Sequence, residues 1–134
     1  MKKDIQFRAM EYVGVAIVQP EDPDDELWDV YLFNFQDFQV RNVMVSAHGF
    51  GEIDGAEMET STLRYFFDDI TALNYVKIEP IHQELFCVNN QYWVSFQARD
   101  GYLYDKKFIF EANLTAKETL TLIPFINRMG VMMQ

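Results

Sequence analysis

The chain is 134 residues long, 49% apolar and 16% aromatic, enough for one domain that withdraws roughly two thirds of its unfolded surface from water. That much apolar surface excludes a disordered chain. Its 11 basic residues stand against 21 acidic ones, a formal charge of −10, and a field of that sign repels phosphate backbones and anionic lipid, so neither nucleic acid nor membrane is the expected partner.

Glu11 to Gln19 sets Tyr12, Gly14, Ala16 and Val18 against Val13, Val15 and Ile17, so both faces are apolar or small, as in a strand near the middle of a sheet. Two prolines and five carboxylates in Pro20 to Glu26 then break the pattern into a solvated loop. Alternation resumes in Leu27 to Phe35 and in Val40 to His48, and the short turn near Gln36-Asp37 predicts that these two strands pair. The three glycines between Gly49 and Gly55 predict a long connection that crosses between sheets. Thr60 to Leu73 has two readings. Leu63, Phe66, Phe67 and Ile70 have helical spacing with Ser61 placed to cap, whereas Thr60, Thr62, Tyr65 and Phe67 favour a strand, the preferred reading. Tyr75 to Glu79 is a short strand that Pro80 ends or places at an edge.

The clearest element is the hairpin from Cys87 to Phe110. Tyr92, Val94, Phe96 and Ala98 fall on one face of its first arm and Trp93, Ser95 and Gln97 on the other. Arg99-Asp100-Gly101 turns the chain, and Lys106-Lys107 mark where the second arm meets water. Thr115-Ala116-Lys117-Glu118 has capping-box spacing for one helical turn, which Thr119, Thr121 and Pro124 cut short. A short strand is expected after Gly130. The expected fold is one all-β domain over residues 1–134, an antiparallel immunoglobulin-like or Greek-key β-sandwich of about seven strands with little helix. A closed barrel is the alternative.

Cys87 is the one cysteine, so no internal disulfide can form, and its neighbours Leu85, Phe86 and Val88 predict a buried, inert thiol. A reducing, cytoplasmic setting follows. Asp4 after Lys2-Lys3 and the short, late run Val13 to Val18 do not make a signal peptide, and no apolar run approaches the roughly 20 residues that span a bilayer. Asn113-Leu114-Thr115 has the form of a glycosylation sequon, which matters only in a secretory setting.

Chemistry has few candidates. The carboxylates Glu21, Asp22, Asp24, Asp25 and Glu26 could offer oxygens to a hard cation, but they lack the spacing of a calcium loop and read as a solubilising run, as do Glu52, Asp54 and Glu57. His48 and His82 belong to no zinc-like set; His82 reads as a strand end, and Ser46-Ala47-His48-Gly49 as a strand end entering a glycine loop. A Cys87–histidine nucleophile pair would require an exposed thiol. No catalytic, cofactor-binding or metal-binding residue is assigned. The aromatics read as core, with Trp93 or Tyr104 as candidates for an outward protein contact.

Met1-Lys2-Lys3-Asp4-Ile5, Trp28-Asp29-Val30-Tyr31-Leu32, Thr60-Ser61-Thr62-Leu63-Arg64, Lys77-Ile78-Glu79, Tyr92-Trp93-Val94-Ser95-Phe96, Lys106-Lys107-Phe108-Ile109-Phe110, Ile123-Pro124 and Gly130-Val131 together resemble a family of short uncharacterised bacterial proteins. Some of these carry the label phenylalanyl-tRNA synthetase subunit. A synthetase core needs ATP, amino-acid and tRNA sites, and this chain has no recognisable nucleotide motif, so the resemblance implies a family and no catalytic residue.

The expected function is that of a non-enzymatic cytoplasmic protein-interaction or accessory module. The alternative is a small-ligand domain or an enzyme whose site assembles from distant loops. Open edge strands, and those of Tyr31, Phe33 and Phe35 that a two-layer core leaves outside, predict a two-fold homodimer that pairs sheet faces or edges.

Overall fold

The computed structural model describes the backbone of residues 7–9 and the whole of residues 12–113 and 119–134. The expected capping-box turn at 115–118 lies outside the described residues. The described residues form eleven strands: β1 (Phe7–Ala9), β2 (Val13–Val18), β3 (Leu27–Asn34), β4 (Val40–Ile53), β5 (Ala56–Glu59), β6 (Leu63–Ile70), β7 (Asn74–His82), β8 (Asn89–Gln97), β9 (Leu103–Phe110), β10 (Thr121–Ile123) and β11 (Arg128–Met133). Five antiparallel strands make each of two sheets. Sheet one has the order β9-β8-β4 with β5 and β6 both on the far side of β4, and β1 adds to β9 in parallel; sheet two has the order β10-β11-β2-β3-β7. More strands form than the seven expected, because the long β4 carries an extra hairpin and a further hairpin precedes the C-terminus.

Period-two alternation builds the core between the sheets. Val13, Val15, Ile17, Val30 and Leu32 from sheet two meet Val43, Val45, Tyr92, Val94, Phe96, Phe108 and Phe110 from sheet one. All six residues of β2 are buried, as two apolar faces in a central strand require. Thr60 to Leu73 resolves as the strand β6. Pro80 does not end its strand: β7 runs on to His82, and the proline is tolerated because β7 is the edge of sheet two.

Two connections exchange their expected roles. The strands β3 and β4 do not pair; the turn after Asn34 carries the chain from sheet two into sheet one. Gly49 to Gly55 does not cross between sheets, since β4 continues to Ile53 and Asp54-Gly55 closes a two-residue hairpin into β5. The positive φ angles of Asp54 (52°) and Gly55 (81°) are those of a type I′ turn, which the Asp-Gly pair favours. Gly49 lies within the strand, where a Cβ would come to 3.0 Å from Thr60 Cγ2, and the Thr60 hydroxyl accepts a hydrogen bond from the Gly49 amide at 2.8 Å.

The outer face of sheet two is covered by the chain itself. Phe33 is fully buried there with Ala16, Val18 and Ile123, and Tyr31, Phe35, Tyr75 and Ile126 pack around them. Phe125, in the turn between β10 and β11, lies 6.2 Å from the Phe33 ring and 5.5 Å from that of Phe35. The aromatic surplus that motivated a covering second copy is therefore met from within. Beside it Asp29 receives Lys77 at 2.8 Å and Arg128 at 3.1 Å. Burial disfavours the charged carboxylate, but the hydrogen bonds and charges of Lys77 and Arg128 outweigh it and hold the Asp29 pKa below its ordinary value.

Candidate functional site

The outer face of sheet one, by contrast, has no cover among the described residues. Because Val43 and Val45 face the core, Met44 and Ser46 face outward, and strand register aligns their neighbours in rows. One row runs Phe66, Met44, Ser95 and Asp105; the next runs Arg64, Ser46, Trp93 and Lys107. Phe66 is 73% exposed and Trp93 43% exposed. Ile109 stands at the exposed end of the same face.

Trp93 is held in place. Its indole N–H donates to Asp105 Oδ2 at 2.9 Å, and the Lys107 ammonium sits 4.7 Å from its ring centroid. Each contact is modest, the cation–π term about 0.5–1 kcal/mol at an exposed site. Together they fix a large amphipathic ring before anything binds it, which lowers the ordering cost of a contact. The arrangement can bind a protein surface.

A second polar constellation lies between the sheets on the β6–β7 side. Glu79 of β7 accepts hydrogen bonds from Tyr65 Oη at 2.5 Å and Tyr92 Oη at 2.8 Å, one on each carboxylate oxygen. These bonds tie β6 and β8 of one sheet to β7 of the other. The adjoining cleft, of about 170 Å³, is lined by Glu79, Tyr92, Asn90, Thr60 and both histidines. It is smaller than the roughly 300 Å³ at which small-molecule pockets begin.

Burial first, and then the Glu79 carboxylate, push the Tyr65 phenol up to about 12 and that of Tyr92 well above its ordinary value. A raised folded-state pKa adds stability that is complete below the unfolded value near 10 and is lost as pH rises toward the folded value. We expect alkaline unfolding to begin above about pH 10, with Tyr92 alone contributing a slope approaching 1.4 kcal/mol per pH unit. Urea titrations between about pH 8 and pH 12 read this slope. In Tyr92→Phe it should flatten, and an unchanged slope would refute the assignment.

No family model, no curated protein and no solved structure matches this chain.

The residues singled out in the sequence scatter. Cys87 is exposed rather than buried, with its thiol donating to the Glu84 carbonyl at 3.0 Å. It ends the 3-10 turn Gln83–Cys87, where Leu85 and Phe86 pack on the core and rotate the thiol outward. His48 lies within β4 rather than at its end, 3.2 Å from Glu59 and stacked on Phe50. His82 does end β7; its Nδ1 accepts from the Glu84 amide, so a neutral ring carries its proton on Nε2, 3.1 Å from Glu26. The two histidines line the same cleft, which Cys87 does not.

Asp22 and Asp25 bond backbone amides of their own loop. Glu52 and Glu57 face each other across the β4–β5 hairpin. No group of three or more metal-binding side chains occurs among the described residues. Tyr104 faces the core rather than solvent, stacked 5.6 Å from Phe96; only Trp93 of the two candidates faces outward. Glu79 and Asn34 carry no local signal in the sequence, because the partners of Glu79 sit on strands of the other sheet and Asn34 reaches Ile70 and Thr71 across the sandwich. No helix among the described residues is long and apolar enough to cross a membrane.

Proposed function

We propose that this protein is a non-enzymatic cytoplasmic interaction module whose contact surface is the outer face of sheet one. The exposed, pre-fixed Trp93 in a row of outward side chains carries the reading. Against the ligand-domain alternative, both oxygens of Glu79 in the cleft between the sheets are already engaged. The charge of −10 supports a protein partner over nucleic acid or membrane, and the one cysteine supports a reducing compartment. We propose too that the chain belongs to the family of short bacterial proteins that its sequence resembles.

Strand order supports an immunoglobulin-like core within the sandwich. The neighbours β2-β3-β7 follow the A-B-E order, and β4-β8-β9 follow C-F-G, with β6 flanking β4. On this reading β5, β1 and the β10–β11 hairpin are additions to seven core strands.

The test is photo-crosslinking in the source cells from a reactive residue at position 95, beside Trp93, with position 22 in the acidic loop as control. One defined protein should be captured from position 95 alone and lost in Trp93→Ala. Equal capture from both positions, or none, would overturn the proposal.

A further inference from the structure

Among the described residues each sheet edge but one is short or blunted, the β1 edge having three residues. The edge β7 carries Pro80, β10 has three residues and runs into Pro124, and β5 presents Glu57 and Glu59 at the tip of a hairpin. Natural edges use proline, brevity and charge in this way to prevent strand pairing. The exception is β6. It is eight residues long, free of proline, pairs with β4 in one unbroken register and has no strand on its other side among the described residues.

Charge on β6 does not protect it against its own kind. In antiparallel pairing of two copies the faces match only if opposed residues have the same parity. Centring the two-fold axis on Phe66 sets Arg64 of each copy opposite Asp68 of the other, both on the outer face, with Phe66 against Phe66 between them. Shifting the axis to Tyr65 opposes Arg64 to Phe66, and shifting it to Phe67 opposes Phe66 to Asp68, so the neighbouring registers lose both charge pairs. Within its own chain neither Arg64 nor Asp68 has an ion-pair partner among the described residues. Phe66, at 73%, is the most exposed large apolar side chain described.

We infer that β6 is a self-recognition edge: two copies pair antiparallel about Phe66, closed by two Arg64–Asp68 ion pairs, and join their two outer faces into one continuous sheet. Symmetry favours a second copy over an unrelated strand, since one self-complementary patch is used twice. Two chains of charge −10 repel, which physiological salt screens beyond roughly 8 Å while leaving the close pairs in force. A single strand pair is a small interface, below about 1,200 Å², so a Kd on the order of 10 µM is expected.

Analytical ultracentrifugation of the whole chain from about 1 µM to about 1 mM, a range that brackets such a Kd, tests this. The wild type should dimerise within the range, and Arg64→Asp and Asp68→Arg, each alone, should weaken self-association at least tenfold. An equimolar mixture of those two variants should dimerise again, because outer-face positions 64 and 68, both acidic in one variant, then meet the same positions made both basic in the other. Both positions are exposed, and the rescue itself shows that the variants are folded. A monomeric wild type, a dimer indifferent to either reversal, or a mixture that stays monomeric would each overturn the inference. It stands on the edge and not on the Trp93 face, so crosslinking from position 95 in the Arg64→Asp background reads that proposal separately.

Discussion

Replacing Gly130 by alanine is expected to destabilise the fold by about 3 kcal/mol, at the upper end of what overpacking a filled interior costs. Gly130 of β11 pairs with Val18 of β2, and a Cβ added there would land on the Ile17 carbonyl oxygen, 3.0 Å from the Val18 Cα and 3.1 Å from Ile123 Cγ1. Two of these neighbours are backbone of the central strand, so no rotamer change can relieve the clash. The edge pair β10–β11 must instead move off β2. That movement would disturb the bond from the Gln19 amide to the Met129 carbonyl and those from Arg128 to Gln19 and Asp29. It would also lift Ile123 and Phe125 from the outer aromatic cluster. Gly51 is the control, because the atoms nearest to a Cβ there belong to Val88, none closer than 3.3 Å, and alanine should cost less than about 1 kcal/mol. Urea unfolding of the two variants measures the difference, and a Gly130→Ala loss no larger than that of Gly51→Ala would refute the account.

The same cluster shows which parts of the fold could be read in advance. Val13 to Val18 announced a central strand because apolar residues on both faces are a local property of six positions. The β8–β9 hairpin was legible for the same reason, its alternation and its Gly101 turn, φ 82°, lying within one short segment. Crossing points were not legible. Glycine content suggested a crossover after His48 and brevity suggested a hairpin after Phe35, yet the Asp54-Gly55 turn and the Asn34 side chain decide the opposite. The cover over Tyr31, Phe33 and Phe35 is not legible either, because no pattern in the sequence assigns Phe125, roughly ninety positions further on, to them. Of the candidate surface, Trp93 could be read from alternation alone. Phe66 could not, since exposure at an edge depends on which strand is last, and that depends on where the chain crosses. Glu79 was hidden for a like reason: its two phenol partners sit on strands of the other sheet.

Asn34 is the position where one atom's chemistry is expected to matter most, with Asn34→Asp costing about 4 kcal/mol at neutral pH, the order expected when an unpaired charge is buried. The side chain is 1% exposed at the end of β3, where the chain leaves sheet two. Its amide nitrogen donates to the carbonyls of Phe38 at 2.9 Å, Thr71 at 3.1 Å and Ile70 at 3.3 Å, while its oxygen accepts from the Gln36 amide at 3.0 Å. One residue thus holds the β3–β4 crossing against the β6–β7 crossing. Aspartate keeps the acceptor but turns the donor into an oxygen facing three carbonyl oxygens, which repel it and leave it unsatisfied. The introduced carboxyl should therefore have a pKa above its unfolded value near 3.9, and protonation restores one donor. A group raised in the folded state is most favourable below its unfolded pKa, so the deficit should shrink as pH falls toward about 4 and grow as pH rises through the folded value. Asn34→Ala, which deletes donor and acceptor together, should cost about 2–3 kcal/mol from the buried groups it strands, with no such pH dependence. Unfolding curves of both variants between about pH 4 and pH 8 decide the matter: an Asn34→Asp deficit independent of pH, or no larger than that of Asn34→Ala at neutral pH, would show that the donor to these carbonyls is not what holds the two crossings together.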